Sequence, residues 1–260
     1  MLISCPICLT LSGDYNIKIK DMNFSIYKCS SCGLEYTNPI PSNKDLENFY
    51  RDYSDIRANE DIVKINAINN LNKLYSLGIS SDSYILDFGS GGGEFVEIAG
   101  KNCYGIELNN NNKERIYNNL DELPIKEFDC ITLWGVLEHL NDIKPIMSKL
   151  INKLKSNGLL VITTVDAEGV IPYYYKPPEH LTYWTKKSLE KLAEYLNAEI
   201  IEYKPYFMEQ LSDIYLDRLF SRTPEKYKNK MLEMKNLLPK IIEIPTNELF
   251  TVIKIGRAHV

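Results

Sequence analysis

Short apolar runs alternate with stretches of helical spacing along most of this chain, and that alternation predicts a sheet flanked by helices. Residues 83–88 and 103–108 read as two continuous hydrophobic strands, with a helix over 94–100 between them. Residues 109–118 carry helical spacing despite the poor propensity of their asparagines, and 119–123 is the expected third strand. Strands follow at 129–134 and 159–165, separated by a helix over 141–155 in which Pro145 is tolerable only in the first turn. Thr185 is placed to cap a helix over 186–197, and 199–203 and 249–254 are the last two strands. Helical segments between 207 and 242 separate those two, an insertion suited to a substrate lid or a dimer contact. Ahead of the alternation come strands at 15–20 and 25–28 and a proline-punctuated connector at 36–41. Helices over 44–53 and 56–77 follow, the second stopped by Gly78.

The turn between the first two strands carries the chemistry. Tyr84-Ile-Leu-Asp-Phe-Gly-Ser-Gly-Gly-Gly-Glu94 is answered by Tyr104-Gly-Ile-Glu107, a strand, a glycine turn, a helix and a strand ending in an acid. Gly89, Gly91 and Gly93 are not spaced as in a dinucleotide site, because Glu94 holds the place of the third glycine. A pyrophosphate wants a helix N-terminus free of anions, yet Asp87 precedes this turn and Glu94 opens the helix. Carboxylates there suit a cationic ammonium group, and Glu107 can accept both hydroxyls of a ribose. An amino-acid cation joined to a nucleoside is S-adenosylmethionine (SAM). A tight turn with no ligand is the alternative for a glycine motif taken alone.

The downstream order goes further. Leu123-Pro124, then Phe128-Asp through Val136-Leu-Glu-His-Leu140, then Leu154-Lys-Ser-Asn-Gly-Leu-Leu160 follow at fixed intervals. From about Ser83 to Lys254 the chain resembles the class I SAM-dependent methyltransferases. The resemblance implies a doubly wound, seven-stranded Rossmann-like α/β sheet over 79–254, closed by an antiparallel hairpin of the last two strands. It implies SAM contacts from Asp87, Gly89, Ser90, Gly91, Glu107, Leu108 and Trp134, with Asn119 on the adenine side.

Cysteine spacing adds a second module. Cys5-Pro-Ile-Cys8 and Cys29-Ser-Ser-Cys32 are two C-x-x-C knuckles at the separation of a four-cysteine zinc ribbon, expected over residues 1–43. A disulfide pair or a redox dithiol competes, and both are disfavoured without a secretion signal or a thioredoxin-like context. Four thiolates leave no open position, so the expected zinc is structural. Cys103 and Cys130 fall on strands and read as small core residues. The knuckles, Cys32-Gly-Leu-Glu-Tyr-Thr-Asn-Pro39 and Phe49-Tyr50-x-x-Tyr53 together resemble the zinc-ribbon methyltransferases of bacterial sugar modification, including deoxysugar C-methyltransferases. In that setting 44–78 is a helical linker that covers the cofactor, and Tyr50 and Tyr53 either line the site or pack the helix.

Composition narrows the partners. The chain has 260 residues, 44% hydrophobic and 25% charged, with a net charge of −5, which offers nothing to a polyanion. No signal peptide or membrane span is legible, so a cytoplasmic protein is expected. The tail 255–260 resembles a translated sequencing adapter, and His259 is set aside as non-native.

Two histidines remain for catalysis. His180 lies in the aromatic segment Tyr173-Tyr-Tyr-Lys-Pro-Pro-Glu-His-Leu-Thr-Tyr-Trp184 after the fifth strand, and resembles the Glu-His-x-x-Tyr segment of the sugar C-methyltransferases. The tyrosine those enzymes carry two residues before the glutamate is Pro177 here. The expected general base is His180 with Glu179 orienting it, and His139 is the reserve. Bracing of the loop by His180, and of a helix start by His139, are the structural alternatives. Three readings follow: O-methylation of a nucleotide-linked or surface-glycan sugar, C-methylation of a keto-deoxysugar, and methylation of an RNA base. Known C-methyltransferases of the group carry a further C-terminal domain, and an RNA-gripping ribbon should be basic whereas the charges of residues 1–43 balance to zero.

Overall fold

The computed structural model describes residues 3–12, 14–18, 24–51, 59–108, 113–169, 175–220, 224–235 and 237–256. The N-terminal module holds β1 (Ile3–Ser4), β2 (Leu11–Ser12), β3 (Asp14–Lys18), β4 (Ser25–Lys28) and β5 (Glu35–Asn38). Here the connector expected at 36–41 is corrected. Its first half is strand β5, because Tyr36 and Thr37 bury their side chains while their backbone pairs with β4. Helices α1 (Asn43–Arg51) and α2 (Glu60–Ser76) follow, α2 capped by the Asn59 side chain and stopped at Gly78 in a positive-φ conformation. The start expected for the longer helix at 56, and the residue Tyr53, lie outside the described residues.

The alternating region begins with β6 (Ile85–Phe88), α3 (Glu94–Ala99) and β7 (Cys103–Ile106). The expected helix over 109–118 and strand over 119–123 are both corrected: β8 is Ile116–Tyr117, and 113–115 precede it as a turn. Residues 109–112 lie outside the described residues. The asparagine-rich segment offers little helix propensity, while Ile116 buries its side chain beside β7, so the β-branched residue decides the strand. Next come β9 (Phe128–Trp134), a 3₁₀ turn at Leu137–His139, α4 (Ile143–Ile151) and β10 (Leu154–Val165). The expected helix over 141–155 is shortened at both ends, and Pro145 falls in its first turn. Then β11 (Thr182–Tyr183), α5 (Lys186–Tyr195), β12 (Ala198–Leu211), α6 (Ser212–Phe220), α7 (Glu225–Lys235) and β13 (Ile241–Ile255) complete the chain. Thr185 and Ser188 form a reciprocal capping box on α5.

Seven strands form one sheet in the order β12-β13-β10-β9-β6-β7-β8, with β8, β7, β6, β9 and β10 parallel and β13 antiparallel to both neighbours. This is the doubly wound Rossmann-like sheet expected. Its closing hairpin runs further than expected: β12 and β13 pair from Ala198↔Ile255 to Leu211↔Ile241, so 207–211 and 241–242 are strand. Helices α6 and α7 occupy only its tip. Of the tail, Ile255 ends β13, and 257–260, with His259, lie outside the described residues.

Both faces of the sheet are covered, which is why its central strands are nearly all apolar. On one face Ile85, Cys130, Val161 and Phe250 pack against α2 and α3 through Leu71, Leu74, Phe95 and Val96. On the other, Leu86, Ile131, Leu160 and Ile253 pack with Met147 of α4 and Leu189 and Leu192 of α5. That second cluster also contains Cys5, Cys29, Cys32, Leu34 and Tyr36, so the N-terminal module shares a core with the main sheet. Burial pushes the thiols of Cys103 and Cys130 well up, as fits small core side chains.

A second sheet, in the order β11-β5-β4-β3, joins the two regions. Tyr36 pairs with Thr182 and Glu35 with Tyr183, and Thr37 N–H donates to Leu181 O at 2.8 Å. The segment carrying His180 is therefore an added strand of the N-terminal module.

Candidate functional site

The parallel strands β6, β9 and β10 end at one edge of the sheet, where open α/β folds hold ligands. Asp87 lies next to the end of β6 with its carboxyl buried, and Thr132 Oγ1 donates to Asp87 Oδ1 at 2.7 Å. Burial pushes that carboxyl up to about 7, with the neighbouring Glu107 charge adding to the shift and the Thr132 bond opposing it. The amides of Gly89 and Ser90 both donate to Ile106 O, at 2.8 and 3.0 Å, and Gly91 N–H donates to Glu107 Oε2 at 3.0 Å. Glu107 thus ties the tip of the turn to β7. A Cβ on Gly89 would lie 2.5 Å from Val136 Cγ2, and its φ of +78° suits glycine alone.

The other expected cofactor residues fall around this turn. Leu108 is 81% exposed beyond the end of β7. Asn119 is exposed, accepting from Asp121 N–H at 3.0 Å and donating to Glu122. Asn118, which the sequence reading passed over, reaches further in: its Nδ2 donates to Glu107 O at 3.2 Å and Leu108 O at 3.1 Å. The helix that the spacing predicts over 109–118 hides its signal. Trp134 ends β9 with its ring stacked on Tyr206 and Phe250 and edge-on to Phe95. Trp134 Nε1–H and Ser90 Oγ are buried without a hydrogen-bond partner among the described residues. The buried Asp87 carboxyl and the Glu107 carboxyl beside the turn fit a ligand with a cationic group.

A second group lies at the ends of β9 and β10. Glu138, His139 and His180 bring one ligand atom each to within 4.8 Å of one another. Glu138 is 2% exposed, accepts from Thr164 Oγ1 at 2.9 Å, and its carbonyl accepts from Leu181 N–H at 2.7 Å. Burial first, then the Glu248 carboxylate, push Glu138 up to about 8, and burial holds Glu248 up at about 7. His139 Nδ1 lies 2.8 Å from the Glu179 carbonyl oxygen, which can only accept, so Nδ1 carries the proton. Burial lowers the His139 pKa and favours its neutral form. His180 is 4% exposed; its Nε2 is 3.8 Å from Glu179 Oε1, and its ring stands edge-on to His139 at 5.0 Å. The three expected catalytic residues are brought together. Glu138, Thr164 and Glu248 were missed: Glu138 stood out only as an acid in an apolar run, and Glu248 arrives from β13 by the antiparallel pairing Val165↔Glu248. Tyr175 donates to Glu35 in the N-terminal module, whereas Tyr173, Tyr174 and the side chain of Tyr50 lie outside the described residues.

The four knuckle cysteines form a third cluster. Cys5 and Cys32 Sγ are 3.6 Å apart, Cys8 and Cys29 Sγ 3.4 Å, and all four lie within 4.8 Å of one another. A tetrahedron of thiolates with zinc–sulfur bonds near 2.3 Å has edges of about 3.8 Å, so the donor set fits one such ion. The separations are far beyond a disulfide bond.

The sheet order and the glycine turn define an α/β fold with a ligand-type turn at the β6 edge. Residues 65–203, more than half the chain, match the methyltransferase-domain family, and the chain belongs to it. It is a SAM-dependent methyltransferase. Among solved structures it is similar to a SAM-dependent methyltransferase from Archaeoglobus fulgidus, at 20% identity and TM-score 0.51, over 79% of this chain and 99% of that one. It is also similar to a chain of the complex between the Haloferax volcanii Trm112 methyltransferase activator and its methyltransferase, at 13% identity and TM-score 0.54, over 77% of this chain and 94% of that one. No curated protein matches it. No helix among the described residues is long and apolar enough to cross a membrane.

Proposed function

We propose that this enzyme methylates a sugar hydroxyl, presented on a nucleotide sugar or a glycan precursor at the pocket of Glu138, His139, Glu179 and His180. The carrying observation is that two imidazoles, His180 buried and His139 part-buried, and a carboxylate stand at the same sheet edge as the Asp87–Glu107 turn. SAM supplies an already activated sulfonium methyl. Asp87 would hold its ammonium end and Glu107 its ribose, with Ser90, Gly91, Asn118 and Trp134 around them. What the chain must add is alignment and a destination for the hydroxyl proton. The His180–Glu179 pair is assigned that proton, and the Thr37 and β11 contacts hold the pair in place. Cys5, Cys8, Cys29 and Cys32 would hold a zinc ion that shapes the module bearing β5, with no part in the chemistry. The neutral charge balance of that module argues against an RNA substrate.

The test is a SAM-turnover screen over nucleotide sugars and keto-deoxysugars with the wild type and His180→Ala. The variant should keep its SAM affinity and lose turnover by ~10²–10⁴-fold. Methyl on oxygen in the product supports the assignment; methyl on carbon transfers it to the keto-sugar reading. Turnover on RNA alone would overturn both.

A further inference from the structure

The arrangement of Glu138, His139 and His180 goes beyond a proton acceptor. We infer that these three side chains bind one divalent first-row transition-metal ion, a site separate from the four-cysteine cluster. Two imidazoles and one carboxylate from two segments converge, with their ligand atoms all within 4.8 Å. Bonds near 2.1 Å place tetrahedral ligands about 3.4 Å apart, so donors that lie within 4.8 Å of one another close on an ion by drawing in up to about 1.4 Å. Nitrogen and oxygen donors of this kind suit manganese, iron or zinc and leave coordination positions open.

The outer contacts orient the ligands as a metal site requires. Nδ1–H of His139 is committed to the Glu179 carbonyl, 2.8 Å away, which makes Nε2 the lone-pair nitrogen of that ring. One oxygen of Glu138 accepts from Thr164 Oγ1 at 2.9 Å, which fixes the carboxylate plane. The His180 backbone is held from both ends: its N–H donates to Lys176 O at 2.9 Å and its carbonyl accepts from Thr37 Oγ1 at 3.0 Å. Charge favours a cation as well. Glu138 is buried, the part-buried carboxyls of Glu179 and Glu248 stand near it, and Lys176 contributes an opposing charge.

Binding does not depend on the identity of the acceptor. With the ion in place the His180 lone pair is engaged, and Glu179, whose Oε1 is 3.8 Å from His180 Nε2, is left as the proton acceptor of that pair. The ion's open positions would take an oxygen of the acceptor.

The experiment is titration of the full chain, carrying one zinc at the cysteine cluster and stripped of any second ion, with Mn²⁺, following the resonance of the free ion. Mn²⁺ competes poorly for thiolates, so the cysteine cluster does not interfere. One Mn²⁺ should bind per chain. His180→Ala should remove that binding, and Thr164→Val, which keeps the ligands but loses the carboxylate's outer contact, should weaken it ~10–100-fold. SAM affinity, measured alongside, reports that each variant is folded. Absence of Mn²⁺ binding, or binding unchanged in both variants, overturns the inference. Mn²⁺ binding with no turnover on any sugar would leave the site standing and remove the sugar reading instead.

Discussion

The backbone carbonyl of His180 is buried between two hydroxyls, and that arrangement can be tested energetically. Thr37 Oγ1 donates to it at 3.0 Å from the N-terminal module, and Tyr183 Oη at 3.1 Å from its own segment. Thr37→Val is close to isosteric and removes one donor, costing about 1 kcal/mol while Tyr183 still satisfies the oxygen. Tyr183→Phe removes the other at a similar cost, raised somewhat because Tyr183 Oη also accepts from Lys176 N–H at 3.1 Å. The double variant leaves the carbonyl buried without a donor, which adds a desolvation penalty of about 1–3 kcal/mol beyond the sum. Urea unfolding of the zinc-loaded protein should therefore show a coupling energy of at least ~1 kcal/mol, against ~0.3–0.5 kcal/mol for independent sites. In melting temperature the single changes are worth roughly 2–4 °C each. SAM binding should be unaffected, because the glycine turn lies at β6 and does not touch these residues. Additive effects would show that the carbonyl is not sealed and that the module does not hold the His180 segment.

Three further outcomes are expected. Glu107→Ala should weaken SAM binding in calorimetry, since it removes the ribose acceptor and the partner of Gly91 N–H; unchanged affinity would refute the ribose assignment. Asp87 has a raised pKa of about 7, so folding favours its protonated form; its contribution to apo stability is full below about 4 and lost as pH rises to about 7. SAM's ammonium group needs the ionised form, so SAM affinity should rise with pH through about 7, and Asp87→Asn should flatten both dependences. Cys29→Ser should abolish zinc at the thiolate cluster, keep SAM affinity and lower turnover, because β5 pairs with the strand beside His180; full turnover in a module without zinc would refute the linkage.

Much of this protein was readable along the chain, because it depends on neighbours in sequence. The apolar run 85–88, the glycines after it and the acid at Glu107 lie within one βαβ unit, and such local periodicity and turn chemistry survive in the linear order. The two cysteine pairs were legible for the same reason, since knuckle spacing is a local constraint. The tertiary structure decided what depends on closure of long loops. Residue Tyr36 finds Thr182, and Glu248 arrives beside Glu138 from the far side of a hairpin. No periodicity encodes those pairings: a strand of four residues such as β5 can satisfy its backbone against any exposed edge, and burial of Tyr36 and Thr37 selects the partner. The short β8 was misplaced on the same grounds, as two residues carry no period and Ile116 is strand only because β7 lies beside it. Sequence therefore determined the glycine turn and the cysteine set, while packing alone joined the N-terminal module to His180 and gathered Glu138, Glu179 and Glu248 around the two histidines.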